Sequence, residues 1–382
     1  MTRAVLTDEL LSTIHSLAEK TDRENVFFDE DLADLKAAGY LSAFVPTEFG
    51  GAGLTLEEIV NEQIRLAGAA PATALAVNMH HIVVGVGRML HDAGLEGGAR
   101  ILKDAGEGHL FAFGISEPSN DLVLFGSITD AKPDGEGGFS FTGTKIFTSL
   151  APAWTRLMTF GRDDSEGDPM SVFAVLNRED GGFTIKEDWD TLGMRATQSH
   201  TTKLEGAHAP AEQILCRIEP GPNAHPVVWG IFSHFEILLA ACYTGIGKRA
   251  IEVAAETVKN RASVKNQTSY ANDPDIRWRL ASAAIEMDGI YPQLTLAARD
   301  IDQGVDRGPL WMPMVSAIKV RATEAAKSSV EKAIRACGGR SYYNSHELSR
   351  LYRDVLAGLF QPSDDESTHA AWANVVLGPI EK

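Results

Sequence analysis

The sequence predicts a mostly α-helical α+β protein built in three consecutive parts. These are an N-terminal helical domain (residues 1–109), a central small antiparallel β-domain (110–226) and a C-terminal four-helix bundle (227–382). Three observations predict it. Apolar residues recur at helical spacing up to about Leu90. Near Leu110 the pattern switches to short alternating runs between Gly, Asp and Pro turns. From Val227 long helical periodicity returns.

In the first part, Leu10, Leu11, Ile14 and Leu17 form one apolar helix face. Asp29 to Ala38 reads as a short helix stopped by Gly39, and Pro46 to Gly53 as a glycine-rich turn. Thr55 with Glu58 three residues on is a capping box that starts a third helix. Small and apolar residues from Ile64 to Leu90 predict a buried helix pair. In the second part, Phe139 to Thr142 alternates with period two, and Ser171 to Leu176 and Phe183 to Lys186 are further strands. Asp134-Gly135 and Asp180-Gly181-Gly182 carry turn chemistry. In the third, Ile231 to Ile251 marks a long helix with a broad apolar stripe. Ile276 to Ile301, Leu310 to Cys337 and Asp364 to Leu377 complete the four helices of the bundle.

Composition narrows the function. Lys and Arg number 35 against 52 Asp and Glu, a net charge of −17. So acidic a chain is unsuited to non-specific nucleic-acid binding, and it lacks the basic clusters of a peripheral membrane protein. No run of 18 apolar residues marks a membrane span. Cys216, Cys242 and Cys337 stand apart with no CxxC pair, which fits a reducing compartment. The expectation is a soluble cytoplasmic protein with no nucleic-acid or membrane partner.

Common catalytic motifs are missing: there is no Walker A loop, HExxH or GxSxG. Gly85-Val86-Gly87 reads as small residues at a helix contact. Adjacent His80 and His81 point in different directions on a helix, so no metal site is expected. Asp364-Asp365-Glu366 reads as an acidic helix start.

Five segments, in order, resemble the acyl-CoA dehydrogenase superfamily of FAD flavoproteins over essentially the whole chain. Pro46 to Gly53 is similar to the family's Pro-x-x-x-Gly-Gly-x-Gly turn. Gly114 to Asp121 (GISEPSND) is similar to its flavin signature, shortened by two residues and without the glycine-serine step that helps hold the pyrophosphate. Gly143 to Ser149 (GTKIFTS) matches Gly-x-Lys-x-aromatic-x-Thr/Ser, and Leu192-Gly193-Met194-Arg195 matches Leu-Gly-x-Arg. Ala336 to Arg340, followed by Arg353-Asp354, resembles the family's Gly-Gly helix end. The resemblance implies FAD contacts from Ile115, Ser116, Phe147 and Ser149. It also implies contacts from Arg261, Arg335, Gly338 and Gly339 to the cofactor of a neighbouring subunit, and from Asp364. A homotetramer or homodimer is implied with them.

The family's chemistry needs a carboxylate to remove the α-proton of an acyl thioester while hydride passes to flavin N5. Counting from Arg353, the usual base position is Pro362, which carries no base. A minority of the family supply the base from the first bundle helix. The matching position there is Phe235, and Glu236 beside it is the candidate catalytic residue, with Asp364 and Asp365 as further carboxylates. The resemblance therefore implies an acyl-CoA dehydrogenase acting on an acyl thioester, reoxidised by an electron-transfer flavoprotein. A missing glutamate, with His234 and His369 available, also fits a two-component flavin-dependent monooxygenase of the same fold, fed by a flavin reductase. A third reading is a non-catalytic subunit that needs a base-bearing partner chain.

Overall fold

The computed structural model describes residues 4–380. The N-terminal helices are α1 (Asp8–Glu24), α2 (Asp29–Ala37), α3 (Leu56–Ala69), α4 (Pro71–Asp92) and α5 (Glu96–Gly106). The capping box forms as its residues dictate: Thr55 Oγ1 accepts from the Glu58 amide while Glu58 accepts from the Thr55 amide. Pro71 ends one helix and opens the next, because it has no N–H to give to the preceding turn. α4 is apolar almost all round and is buried along nearly its whole length. Its glycines are contact points, as expected. A side chain at Gly85 would strike the ring of His234 and one at Gly87 would strike Ile101.

Eight strands follow: β1 (Phe111–Gly114), β2 (Asp130–Pro133), β3 (Phe139–Lys145), β4 (Arg156–Asp163), β5 (Met170–Asn177), β6 (Phe183–Ile185), β7 (Thr202–Ala209) and β8 (Ile214–Ile218). They form one sheet in the order β6-β7-β3-β2-β4-β5-β8. β1 lies parallel to β4 with Phe111 opposite Arg156, and β2 meets β4 in parallel at Asp130 and Arg162. The other pairings are antiparallel, so the expected antiparallel domain stands, with two parallel pairings added at β4. Alternation of side chains reports which face a residue takes and carries no information on strand direction.

The bundle begins with α6 (Pro226–Lys259), whose 34 residues span about 51 Å. Among the described residues it is the one helix long and apolar enough to cross a membrane, and 83% of its apolar window is buried inside the protein. The single helix expected over 276–301 is two, α7 (Pro274–Asp288) and α8 (Tyr291–Asp302). Gly289 and Pro292 break it. After α9 (Trp311–Cys337) comes a short helix that periodicity did not reveal, α10 (Glu347–Val355), and then α11 (Asp365–Leu377). α11 buries only Thr368, so the four helices of the bundle core are α6 to α9 rather than a set that includes α11.

Candidate functional site

The ends of β1 and β3 make one corner. The Ile146 amide donates to the Ser116 carbonyl at 2.9 Å, so the two sequence segments singled out for the flavin are joined by backbone. Below them is a hub that the sequence reading did not assign. Glu117 accepts from Ser127 Oγ, Thr129 Oγ1 and Lys145 Nζ, each at 2.6 Å, and from Asn120 Nδ2 and the amides of Ile128 and Thr129. Both charged side chains are fully buried. Burial alone would raise the Glu117 pKa. The Lys145 charge and these hydrogen bonds outweigh it and hold the group at about 2. Glu117 and Lys145 lie inside the quoted motifs, 28 residues apart, and that co-occurrence was the only signal available.

Above the hub, the chain turns through Phe147 in the left-handed region (φ 57°), which leaves its ring 59% exposed. Trp189 meets it edge-on at 6.0 Å. Ser149 Oγ lies 2.7 Å from Ser199 Oγ, and Ser199 Oγ lies 2.7 Å from Thr197 Oγ1, which donates to the Met194 carbonyl. Three hydroxyls therefore form a relay. With Thr197 donating to Met194, Ser199 donates to Thr197 and Ser149 donates to Ser199, which leaves Ser149 lone pairs facing outward. Reversed, Ser149 donates outward at the cost of the Met194 bond. An exposed aromatic ring with a switchable hydroxyl beside it fits the apolar face and polar edge of a flavin ring. Ile115 is buried and Ser116 half-buried beneath this corner.

The Leu-Gly-x-Arg segment clamps the corner to the bundle. The Met194 amide donates to Asp354 Oδ1 at 2.6 Å, and Arg353 donates to the Leu192 carbonyl and pairs with Asp22 of α1. Gly193 is required, since a Cβ there would lie 2.2 Å from the Arg353 carbonyl oxygen.

On α6, Phe235 packs toward Phe113 of β1, with ring centroids 6.1 Å apart. Glu236 is turned away by the helical 100° per residue. It is 1% exposed and accepts from Ser363 N (2.9 Å) and Oγ (2.8 Å). Its Oε2 has no hydrogen-bond partner among the described residues. Burial raises its pKa, against the charge of Lys319 and the Ser363 bonds. The candidate base is thus engaged with the segment that holds Pro362, not with the Phe147 corner.

Of the other candidates, Asp364 caps α11 by accepting from the Ser367 amide, and that bond, with the Lys319 charge, lowers its pKa. His234 is buried against Gly85 and bonded to the Gly230 carbonyl, and burial lowers its pKa to about 4. His369 is exposed on α11. His80 bridges the Leu41 carbonyl and the Phe111 amide. Arg261 donates to the Cys337 carbonyl at 2.6 Å, beside Gly338 and Gly339, whose missing side chains face open space; Arg335 is exposed one turn earlier. This group lies about 36 Å along α6 from Phe235, at the far end of the bundle. One chain does not bring it to the Phe147 corner.

A helical domain, a sheet with an aromatic and hydroxyl corner, and a helical bundle together define a class of flavin-dependent oxidoreductases. Residues 1–97 match the acyl-CoA dehydrogenase N-terminal domain and residues 237–360 the acyl-CoA dehydrogenase C-terminal domain. The chain belongs to the acyl-CoA dehydrogenase superfamily. It is 28% identical over 361 residues to L-evernosamine nitrososynthase of a Micromonospora species, covering 92% of this chain and 84% of that protein. It superposes on KijD3, solved with FMN and dTDP-3-amino-2,3,6-trideoxy-4-keto-3-methyl-D-glucose, with a TM-score of 0.87, 25% identity and coverage of 98% and 92%. Butyryl-CoA dehydrogenase of Megasphaera elsdenii matches with a TM-score of 0.84 at 19% identity, covering 99% of this chain and 100% of that one, a likeness of fold alone.

Proposed function

We propose that this chain is the oxygenase component of a two-component flavin-dependent monooxygenase, acting on an amine nitrogen. One observation carries the reading: neither position at which the family supplies the α-proton base, 362 or 235, holds a carboxylate. Position 362 is proline, and Glu236 is buried and bonded to Ser363. Dehydrogenation of a thioester needs that base, and oxygenation by reduced flavin does not. The amine follows the nitrososynthase and the amino-sugar complex among its relatives.

A reduced flavin held at this corner would supply the two electrons by which one atom of O2 goes to the substrate nitrogen and the other to water. The chain's own groups do the rest. Phe147 and Trp189 would form an apolar wall that keeps water from one side of a bound flavin ring. Ser149, backed by Ser199 and Thr197, could accept a hydrogen bond from a bound flavin in one relay direction and donate one in the other. FAD, with its extra adenosine diphosphate, would draw on Arg261, Arg335 and the Gly338-Gly339 turn of a second copy, whereas FMN needs none of them.

The test has two arms on the same preparation. In the first, the protein is loaded with FMN or FAD and titrated anaerobically with a panel of acyl-CoA thioesters; the oxidised-flavin band is expected to persist. In the second, a flavin reductase, NADH and oxygen are added with a nucleotide-linked amino sugar, and N-oxidised product is expected by mass spectrometry. Bleaching by a thioester restores the acyl-CoA dehydrogenase reading, with an electron-transfer flavoprotein as its partner.

A further inference from the structure

Asp354 of α10 is a buried carboxylate whose hydrogen bond leaves the bundle. Its Oδ1 accepts from the Met194 amide at 2.6 Å, 160 residues away in sequence. Arg353 beside it is engaged elsewhere, with Asp22 and the Leu192 carbonyl. Burying a carboxylate carries a desolvation penalty that one backbone amide offsets only in part.

What the bond holds is a strained residue. Met194 stands in the left-handed region (φ 52°, ψ 32°), which a non-glycine residue keeps only where its surroundings fix it. Asp354 fixes its N–H, and three donors fix its carbonyl. These are Trp189 Nε1 at 3.3 Å, Thr197 Oγ1 at 2.8 Å and the Thr197 amide at 3.1 Å. Both side chains lead to the flavin corner. Trp189 meets the Phe147 ring edge-on. Thr197 ends the relay that runs through Ser199 to Ser149 in steps of 2.7 Å, and its carbonyl accepts from the Leu150 amide at 3.3 Å. The bundle is thus joined, contact by contact, to the aromatic ring and the hydroxyl of the corner.

The direction of the relay follows from Met194. While its carbonyl faces Thr197, the Thr197 proton is committed to it. Ser199 then gives its proton to Thr197 and Ser149 gives its own to Ser199, so Ser149 only accepts from outside. If Met194 relaxes to an ordinary conformation, its carbonyl turns away and the three hydroxyls are free to reverse. We propose that Asp354 is a positioning residue: by holding Met194 in the left-handed conformation it aims the Met194 carbonyl at Trp189 and Thr197, and so fixes Ser149 as a hydrogen-bond acceptor at the corner. An acceptor suits reduced flavin, whose central ring carries an N–H where oxidised flavin has a bare nitrogen. The inference rests on the flavin site of the reading above, whatever chemistry the reduced ring then performs.

The test is anaerobic titration of the full chain with oxidised FMN and with dithionite-reduced FMN. The readout is the Kd for oxidised FMN divided by the Kd for reduced FMN. Loosened packing weakens both forms together, whereas a reversed hydroxyl separates them. Asp354→Ala is expected to lower the ratio about tenfold, the worth of one hydrogen bond. Asp354→Asn keeps an acceptor for the Met194 amide and is expected to stay within about twofold of the parent. Thr197→Val exchanges a hydroxyl for a methyl of similar shape, so it tests the relay even if Asp354→Ala does not fold. It is expected to lower the ratio about tenfold, and Asp354→Ala is expected to add less than about twofold on top of it. Asp354→Ala or Thr197→Val with the parent's ratio overturns the proposal. So does Asp354→Asn behaving as Asp354→Ala, or Asp354→Ala keeping its full effect beside Thr197→Val. A parent that binds no FMN removes the flavin corner and the proposed function with it. A parent that binds FMN with the variants unchanged removes this inference alone.

Discussion

Two buried glutamates, each set against a buried lysine, hold two loops of this molecule in opposite ways. In the β-domain, Glu117 receives six donors, and Lys145 meets it directly at 2.6 Å. In the bundle, Lys319 ignores the carboxylate and gives its protons to carbonyls, while Glu236 receives two donors from one serine and keeps an oxygen unpaired. The first is saturated, and its carboxyl titrates far below the usual range. The second is under-satisfied, and its carboxyl is pushed upward. Saturated polar networks fix a fold, whereas an unpaired buried oxygen is a cost that packing alone would have removed.

The sharpest way to break this contrast is Lys145→Met. It leaves Glu117 charged and buried without its counter-ion, and should cost about 3–5 kcal/mol in urea denaturation. A cost under 1 kcal/mol would show that the six-donor hub does not depend on its cation.

The next effect is in pH and has opposite signs at the two sites. Glu117 is held below its ordinary value of 4.5, so its stabilisation is present above that pH and is lost as pH falls toward about 2. Glu236 is raised, so its contribution is fullest below 4.5 and is lost as pH rises through its folded value. Glu236→Gln should therefore gain stability relative to the parent as pH rises above the ordinary carboxyl value of 4.5. Denaturation midpoints of both proteins on either side of that value check it, and a difference of the other sign would mean that Lys319 holds Glu236 ionised.

The smallest stability effect is expected at the relay. Ser199→Ala should cost about 1 kcal/mol. It should also slow oxidation of bound reduced flavin in stopped-flow measurements, because Ser149 then loses its partner. An unchanged rate would separate Ser199 from the site.

Local patterns were legible where the physics is local. Thr55 and Glu58 are three residues apart, and their reciprocal caps could be read from the chain. The same holds for the strand at Phe139 and for the buried α4. The α7/α8 break was visible in Gly289 and Pro292 but was outweighed by the apolar pattern on either side. The site divides similarly. Phe147, Ser149 and Ser116 entered through motif resemblance, and the structure brings Ser116 and Phe147 to one corner. Their supports are pairs far apart in sequence: Glu117 with Lys145, Ser149 with Ser199, Glu236 with Ser363. Periodicity is silent about such pairs. Lys319 had one local sign, a lone cation in the run Ser316-Ala317-Ile318-Lys319-Val320, where a surface lysine would expose neighbouring apolar groups.

Helix α6 also acts as a ruler. Phe235 sits against Phe113 of β1, and Arg261 closes the end of α9 about 36 Å away, with unbroken helix for most of the way between. Inserting one residue in that stretch would slide one end by about 1.5 Å and turn it by about 100° relative to the other. Either the aromatic contact or the arginine cap would be lost. Descendants of this chain can change residues along α6 freely on its exposed side, but they cannot change its count.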